Sequence, residues 1–305
     1  MKPFLIVLML VASCTGAYTQ ACCYTGAATD YSILPNLNKH VVGLRYSYSN
    51  YFSEAHRMNH HEQHGTVSTD LHSLEIFGRF NLIEHLQLSV FIPVNFIGQS
   101  SMGVTDKTNS LGDMSLLLQY SLLNPLKCNG KKTKHQLRLG AGIKLPSGEF
   151  KMAETNMPMT SVQLGTGSVD FFTNAIYTFR LKNFGFNTSV AYKINTTNTM
   201  HYRFGDKLQV GTIFFYVFEV KEIQFMPSIG FNYEHQFENS NQKILLDYTG
   251  GDFLNAVVGF DVYYQQFAFS SSVSPAVMNR LNWTGENKNK FNVTAGVFYN
   301  FSTKH

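Results

Sequence analysis

The sequence predicts an all-β fold, a transmembrane, antiparallel, up-and-down β-barrel of about twelve strands. Between His40 and Phe301, apolar and polar residues alternate one by one in many short segments, and period two is the pattern of a β-strand. Charged residues make up 14% of the chain, well below the roughly 25% typical of soluble domains. No apolar run approaches the ~20 residues that a membrane-spanning helix needs. A membrane barrel explains these features better than the main alternative, a soluble β-sandwich.

The N-terminus has the features of a secretory signal peptide. Lys2 supplies a positive charge, Phe4–Val11 is apolar, and Ala12–Ala17 contains the small residues of a cleavage region. We expect cleavage after Ala17; the alternative is a lipoprotein signal, which would lipidate Cys14. Either route exports the chain from the cytoplasm.

This leader divides the chain into three parts. Residues 1–17 form the signal peptide, residues 18–39 a periplasmic or lumenal segment, and residues 40–305 the transmembrane barrel. The middle segment is a candidate plug that folds into the pore.

Twelve segments have the alternation of strands and enough residues to cross a bilayer when tilted. An even number is what bacterial barrels require. The predicted strands are His40–Tyr51, Thr69–Leu82, Leu86–Ile97, Leu111–Leu123, Gln136–Leu145, Val169–Leu181, Gly185–Asn195, Lys207–Val220, Ile223–Phe237, Phe253–Gln265, Phe267–Val277 and Phe291–Phe301.

The connections between these strands alternate between short and long, as expected for short periplasmic turns and longer outer loops. The basic connection Asn124–His135 breaks the pattern, because it is long and lies on the short-turn side. The predicted long loops are Phe52–Ser68, Gly98–Ser110, Pro146–Ser168, Thr196–Asp206, Glu238–Asp252 and Met278–Lys290.

Strand parity assigns apolar side chains such as Val42 and Leu44 to the lipid face and nearly all strand charges to the interior. This is the partition that a barrel requires, because a lipid-facing charge at mid-depth costs roughly 2–4 kcal/mol. The candidate pore-lining charges are Arg45, Glu75, Arg79, Arg138, Lys144, Asp170, Arg180, Lys193, Glu219, Glu234 and Asp261.

These interior charges allow two interpretations. The basic residues could form a pore that prefers anions, because rings of one sign set selectivity in channels. Alternatively, the acidic residues neutralise them in a lumen crossed by salt bridges, and we prefer this second interpretation.

Three motifs resemble the outer-membrane barrel family named after phenol meta-degradation pathways. They are Leu111-Gly112-Asp113-Met114-Ser115-Leu116, Gly140-Ala141-Gly142-Ile143-Lys144-Leu145-Pro146-Ser147-Gly148 and Gln163-Leu164-Gly165-Thr166-Gly167-Ser168-Val169-Asp170. The resemblance is clear from Leu111 to Phe179 and otherwise rests on architecture. It implies a channel or transporter in the outer membrane of a Gram-negative bacterium, without naming a substrate.

The first long loop is rich in histidine and contains a thioether, and both side chains bind soft or borderline metal ions. These candidate ligands are His56, Met58, His60, His61 and His64, with the thiols of Cys22 and Cys23 at the other end of the barrel. One hypothesis is therefore a barrel that captures or takes up a metal such as copper. The alternative is a polar loop without a metal role.

The remaining cysteines suggest a structural alternative, because an exported protein meets an oxidising compartment. Cys128 lies in the long periplasmic connection, and Cys22 and Cys23 lie on the same side. A disulfide between Cys128 and either Cys22 or Cys23 would tie the N-terminal segment to that connection.

From these features we expect a passive, porin-like channel or transporter for a small solute, with no resident cofactor. The alternatives are the metal-capture barrel and a structural or adhesive barrel with a closed lumen. The expected partners are outer-membrane lipid, small-molecule or metal-ion cargo, and the barrel-assembly machinery, whose C-terminal signal Tyr299 and Phe301 resemble. Scattered basic residues exclude a nucleic-acid footprint, and the absence of a nucleophile elbow or phosphate loop argues against an enzyme.

Overall fold

The computed structural model describes residues 39–55, 65–101, 104–123, 133–150, 163–247, 249–281 and 288–302. The predicted signal peptide and nearly all of the predicted 18–39 segment lie outside these ranges. No helix within them is long and apolar enough to cross a membrane.

The described residues form β-strands joined by turns and loops. In chain order the strands are β1 (His40–Ala55), β2 (Gly65–Ile83), β3 (Leu86–Ser101), β4 (Val104–Leu111), β5 (Ser115–Leu123), β6 (Thr133–Lys144), β7 (Asp170–Leu181), β8 (Phe184–Ile194), β9 (Tyr202–Arg203), β10 (Lys207–Tyr216), β11 (Phe218–Val220), β12 (Ile223–Gln236), β13 (Asn239–Asn241), β14 (Ile244–Leu246), β15 (Gly251–Tyr264), β16 (Phe267–Leu281) and β17 (Lys288–Phe301).

Twelve of these strands form a closed wall. Their order is β1, β2, β3, β5, β6, β7, β8, β10, β12, β15, β16 and β17, and all neighbours are antiparallel. The pairing of β17 with β1 and of β10 with β12 completes the circle. The predicted twelve-stranded barrel is confirmed, and each predicted strand corresponds to one wall strand.

The predicted long loops are partly wrong, because several wall strands extend beyond the expected membrane level. β1 continues to Ala55 and pairs there with Gly65 of β2. β3 runs to Ser101 and forms a hairpin with β4, which pairs Ser101 with Val104. Most residues of the 98–110 hairpin are polar, so the alternation weakens there while the backbone pairing continues. Periodicity alone therefore misses these extensions.

Two other predicted loops, Thr196–Asp206 and Glu238–Asp252, meet in a small sheet at the long-loop end. β13 pairs with β9 on one side and with β14 on the other. Tyr202 of β9 and the nearby Phe204 are buried and pack against Phe150 and Leu246. These connections are therefore folded structure with a small core of their own.

Burial alternates along the wall strands as the parity argument predicts. On β5, Leu117 and Gln119 are buried while Leu116, Leu118 and Tyr120 are exposed. Near the short turns, aromatic rings pack in pairs across neighbouring strands, with centroids 5.5 Å apart for Phe179–Phe186, 5.2 Å for Phe218–Phe225 and 5.3 Å for Phe267–Tyr299. Such a girdle is typical of the level at which a barrel meets the lipid headgroups.

The long-loop end has an outward-facing belt of a different kind, in which tyrosines pair with carboxylates. The hydroxyls of Tyr48 and Tyr233 donate to Asp70 and Asp252, each over 2.6 Å. Both carboxylates lie on the outward parity of their strands, which corrects the expectation that almost no strand charge faces outward. They lie at the ends of the strands, where a polar tip can reach the headgroup region.

Arginine substitutions on the lipid face test how deep in the membrane each residue lies. Leu44, which is 51% exposed near the middle of the wall, should tolerate arginine poorly, and L44R should destabilise the barrel by roughly 2–4 kcal/mol. The control I83R, at the end of β2, should cost only about 0–1 kcal/mol. Reversible denaturant unfolding from phospholipid vesicles measures both. Equal costs would contradict the assignment of Leu44 to the hydrocarbon layer.

Candidate functional site: the barrel lumen

The structure places most of the predicted pore-lining charges inside the barrel. Arg45, Glu75, Arg79, Arg138, Lys144, Asp170, Lys193 and Asp261 are buried, and Glu234 is half-buried. All nine lie on the strand parity that faces away from lipid. The interior of this barrel is therefore its candidate functional site.

Two predicted lining residues lie elsewhere, at the short-turn end of the barrel. Arg180 is next to the β7–β8 turn, where its Nε donates to the carbonyl of Lys182 over 2.8 Å. Glu219 on β11 is exposed and accepts a hydrogen bond of 2.8 Å from Gln224. These two side chains lie at the mouth, outside the buried interior.

Inside the barrel, basic and acidic side chains form close pairs. Arg45 and Glu75 are directly opposite in the β1–β2 register, and Arg45 bonds the Glu75 carboxylate through Nε, over 3.0 Å, and through Nη2. Lys207 Nζ lies 2.9 Å from Glu234 Oε1. Because each partner offsets the charge of the other, these pairs give the lumen patches of low net charge.

The most extensive interior network centres on Lys144, the last residue of β6. Its ammonium bonds Asp113 and Thr166 and lies 2.8 Å from Asp170, the first residue of β7. Lys193 of β8 lies 3.5 Å from the same Asp170 carboxylate. Lys144 and Asp170 are both fully buried, so their charges depend on each other for compensation.

The three motifs that carry the family resemblance meet in this network. Asp113, from the first motif, accepts hydrogen bonds from the amides of Gly148 (3.0 Å) and Thr166 (2.8 Å), which belong to the second and third. The Ser147 hydroxyl also donates to the carbonyl of Gly112 over 2.7 Å. Motifs separated along the chain therefore build one site at the long-loop end of the lumen.

Sequence reasoning did not identify Asp113 and Thr166 as site residues. Asp113 lies in the predicted strand Leu111–Leu123 but is not among the candidate pore-lining charges, and Thr166 lies in the predicted loop Pro146–Ser168. In the structure Asp113 falls in the break between β4 and β5, and Thr166 precedes β7. A signal for Asp113 was present, because it shares the parity of Leu117 and Gln119, which face the interior. Thr166 has no such signal, because a loop has no strand parity.

A second feature of the lumen is an apolar belt in which aromatic rings lie over glycines. Directly opposed pairs are Phe172 with Gly142, Phe215 with Gly185, and Phe298 with Gly43. A Cβ on these glycines would lie 2.3, 2.4 and 2.5 Å, respectively, from a ring carbon of the opposing phenylalanine. The rings therefore occupy the space that glycine leaves on the neighbouring strand, along the wall.

A groove of about 550 Å³ on the outside of the barrel is separate from this site. It is lined by apolar side chains of β1–β3, β16 and β17, including Val42, Leu44 and Val297. Val42, Leu44 and Val297 face lipid by parity, so acyl chains are the expected contents of the groove.

The predicted metal and disulfide residues lie outside the described residues. They are His56, Met58, His60, His61, His64, Cys22, Cys23 and Cys128. Within the described ranges, no group of three or more His, Cys, Asp or Glu side chains is arranged to hold a metal ion.

The family model described as "Putative MetA-pathway of phenol degradation" matches residues 63–225, which is 163 of the 305 residues. This match confirms the family that the three motifs predicted. It extends beyond the Leu111–Phe179 region in which the resemblance was clear from the sequence. No curated protein matches the chain.

Among solved structures, an outer membrane channel from Pseudomonas putida F1 is similar with a TM-score of 0.63 and 14% identity, over 90% of this chain and 98% of that one. The β domain of the Bordetella autotransporter BrkA has a TM-score of 0.48 and 8% identity, over 87% of this chain and 100% of that one. The first likeness shows that the two chains share a β-barrel fold. The second structure is too distant to support any further argument.

The Lys144 network predicts a large stability effect. K144M leaves the buried carboxylates of Asp113 and Asp170 facing each other, and removing one partner of a buried pair typically costs about 3–5 kcal/mol. The control K134M changes an exposed lysine on the same strand and should be nearly neutral. Denaturant unfolding of the two variants in matched micelles compares them. Similar midpoints would show that the network contributes little.

Proposed function

Because this chain belongs to the phenol MetA-pathway family, we propose that it is a passive outer-membrane channel for a small, uncharged solute. The closed wall supports a channel, since a polar interior separated from lipid by twelve strands can connect the two sides of the membrane. The family and the channel fold agree with the prediction that the chain is not an enzyme.

The observation that carries the proposal is the pairing of charges in the lumen. A pore with charges of one sign would attract ions of the other sign. Here Arg45 pairs with Glu75, Lys207 with Glu234, and Lys144 with two carboxylates. This pairing supports an uncharged cargo, because a neutral solute needs no excess of either sign.

For the mode of transport we propose passive diffusion through the lumen, in which the concentration difference of the solute sets the direction of flow.

For the class of solute we propose small aromatic molecules such as phenol. The description of the family points to phenol metabolism. The apolar belt supports it as well, because flat ring faces offer apolar surface to another ring. Amide side chains such as Gln119 and Asn174, which are buried in the interior, supply partners for a phenolic hydroxyl.

Charge pairing leads to a prediction about ion selectivity. E75Q should shift the pore toward anions, because it leaves Arg45 without its carboxylate partner. The reversal potential under a salt gradient in a planar bilayer measures this shift. The control E84Q changes an exposed glutamate in the β2–β3 turn and should behave like the wild type. A shift of equal size in both variants would contradict the role of the Arg45–Glu75 pair.

Aromatic selectivity leads to a second prediction. Phenol in the bath should reduce the open-channel current more than an equal concentration of cyclohexanol, which lacks an aromatic face. F172A should weaken the phenol effect, whereas F171A, on the lipid-facing parity of the same strand, should preserve it. Equal block by phenol and cyclohexanol would argue against aromatic cargo while leaving the channel proposal intact.

A further inference from the structure

The segment Gln163–Ser168 lies inside the barrel. Leu164 packs with Leu71 of β2 and Ile97 of β3, and these three side chains are only 7–8% exposed. Leu71 and Ile97 have the parity of the buried residues on their strands, so they face the lumen. Leu164 therefore reaches the inner wall of the barrel.

The other end of the segment is held by Asp113, in the break between β4 and β5, and by Asp170 of β7. Thr166 donates through its amide to Asp113 (2.8 Å), and its hydroxyl lies 3.0 Å from the same carboxylate. The Ser168 hydroxyl donates to Asp170 of β7 over 2.8 Å. The segment thus crosses the inner face of neighbouring strands from β3 to β7.

Simple dimensions agree with this path. Neighbouring strands are ~4.8 Å apart, and at Ile97 the neighbour of β3 is β4, which leads into β5. The three steps from β3 through β4–β5 and β6 to β7 therefore amount to about 14 Å. The four Cα steps from residue 164 to residue 168 also span at most about 14 Å when extended, so this stretch has no length to spare. These residues lie close along the wall near its long-loop end, where β6 ends at Lys144 and β7 begins at Asp170.

The contact between the segment and Asp113 is tight. A Cβ on Gly165 would lie 2.6 Å from the Asp113 carboxylate and 2.6 Å from the backbone of Gly148. Asp113 also accepts the Gly148 amide and the Lys144 ammonium, so one carboxylate joins three parts of the chain. A segment held by a buried carboxylate and by an apolar anchor has a defined position in the lumen.

We propose that Gln163–Ser168 forms the constriction of the channel, and that Asp113 is the positioning residue that holds it against the wall. The segment narrows the lumen on the side of β3–β7 and sets the size limit for the cargo. This inference rests on the proposed channel function and adds where the passage is narrowest and which side chain fixes its width.

Planar-bilayer recording with potassium chloride, together with swelling of liposomes in neutral sugars of increasing size, tests the proposal. D113A releases the carboxylate anchor, and L164A independently weakens the apolar anchor. Both should raise single-channel conductance, on the order of twofold, and admit larger sugars. The control D247N changes an exposed aspartate in the loop before β15 and should match the wild type.

The heat-dependent shift of the barrel in gel electrophoresis first shows whether each variant is folded. If D113A does not fold, the conductance and sugar limit of L164A alone decide the result. A wild-type protein that carries no current removes the channel proposal itself. A conducting wild type with folded variants whose conductance and sugar limit are unchanged or smaller overturns the constriction alone. Larger conductance in D113A or L164A, but not in D247N, supports it.

Discussion

Backbone hydrogen bonding in a medium without water is the constraint on which the rest of this structure depends. A strand in lipid must pair on both edges, and only a closed sheet provides this. The pairing of β17 with β1 and of β10 with β12 removes the last free edges of the wall. Closure then creates two faces, and the strict alternation of side chains sends apolar residues to lipid and polar residues to the interior.

The same closure explains the chemistry of the lumen. Charges enclosed by a wall are partly removed from water, so they are stable where an opposite charge or several donors lie within reach. Lys144 with Asp113 and Asp170, and Arg45 with Glu75, meet this requirement. Where the lumen is apolar instead, glycines such as Gly185 make room for rings on the opposing strand.

The family motifs take on a structural meaning once the barrel is assembled. Each lies in the sequence at one end of a predicted strand and contains glycine, which permits a sharp turn where the chain enters or leaves the sheet. In the structure they converge on Asp113 and fold the segment before β7 back into the lumen. The residues that carry the family resemblance therefore build a site at one end of this barrel.

The sequence by itself determined the barrel, its twelve wall strands and the inward parity of nearly all the charges that line it, because period two is a local property that each strand displays on its own. Tertiary structure decided which charges pair, since Arg45 meets Glu75 only through the β1–β2 register. It also decided where the loops go. Thr166 lies where alternation stops, and a segment between strands carries no pattern that says whether it extends into solvent or folds into the lumen. That choice depends on contacts with distant strands, such as Leu164 with Leu71, which form only when the wall closes.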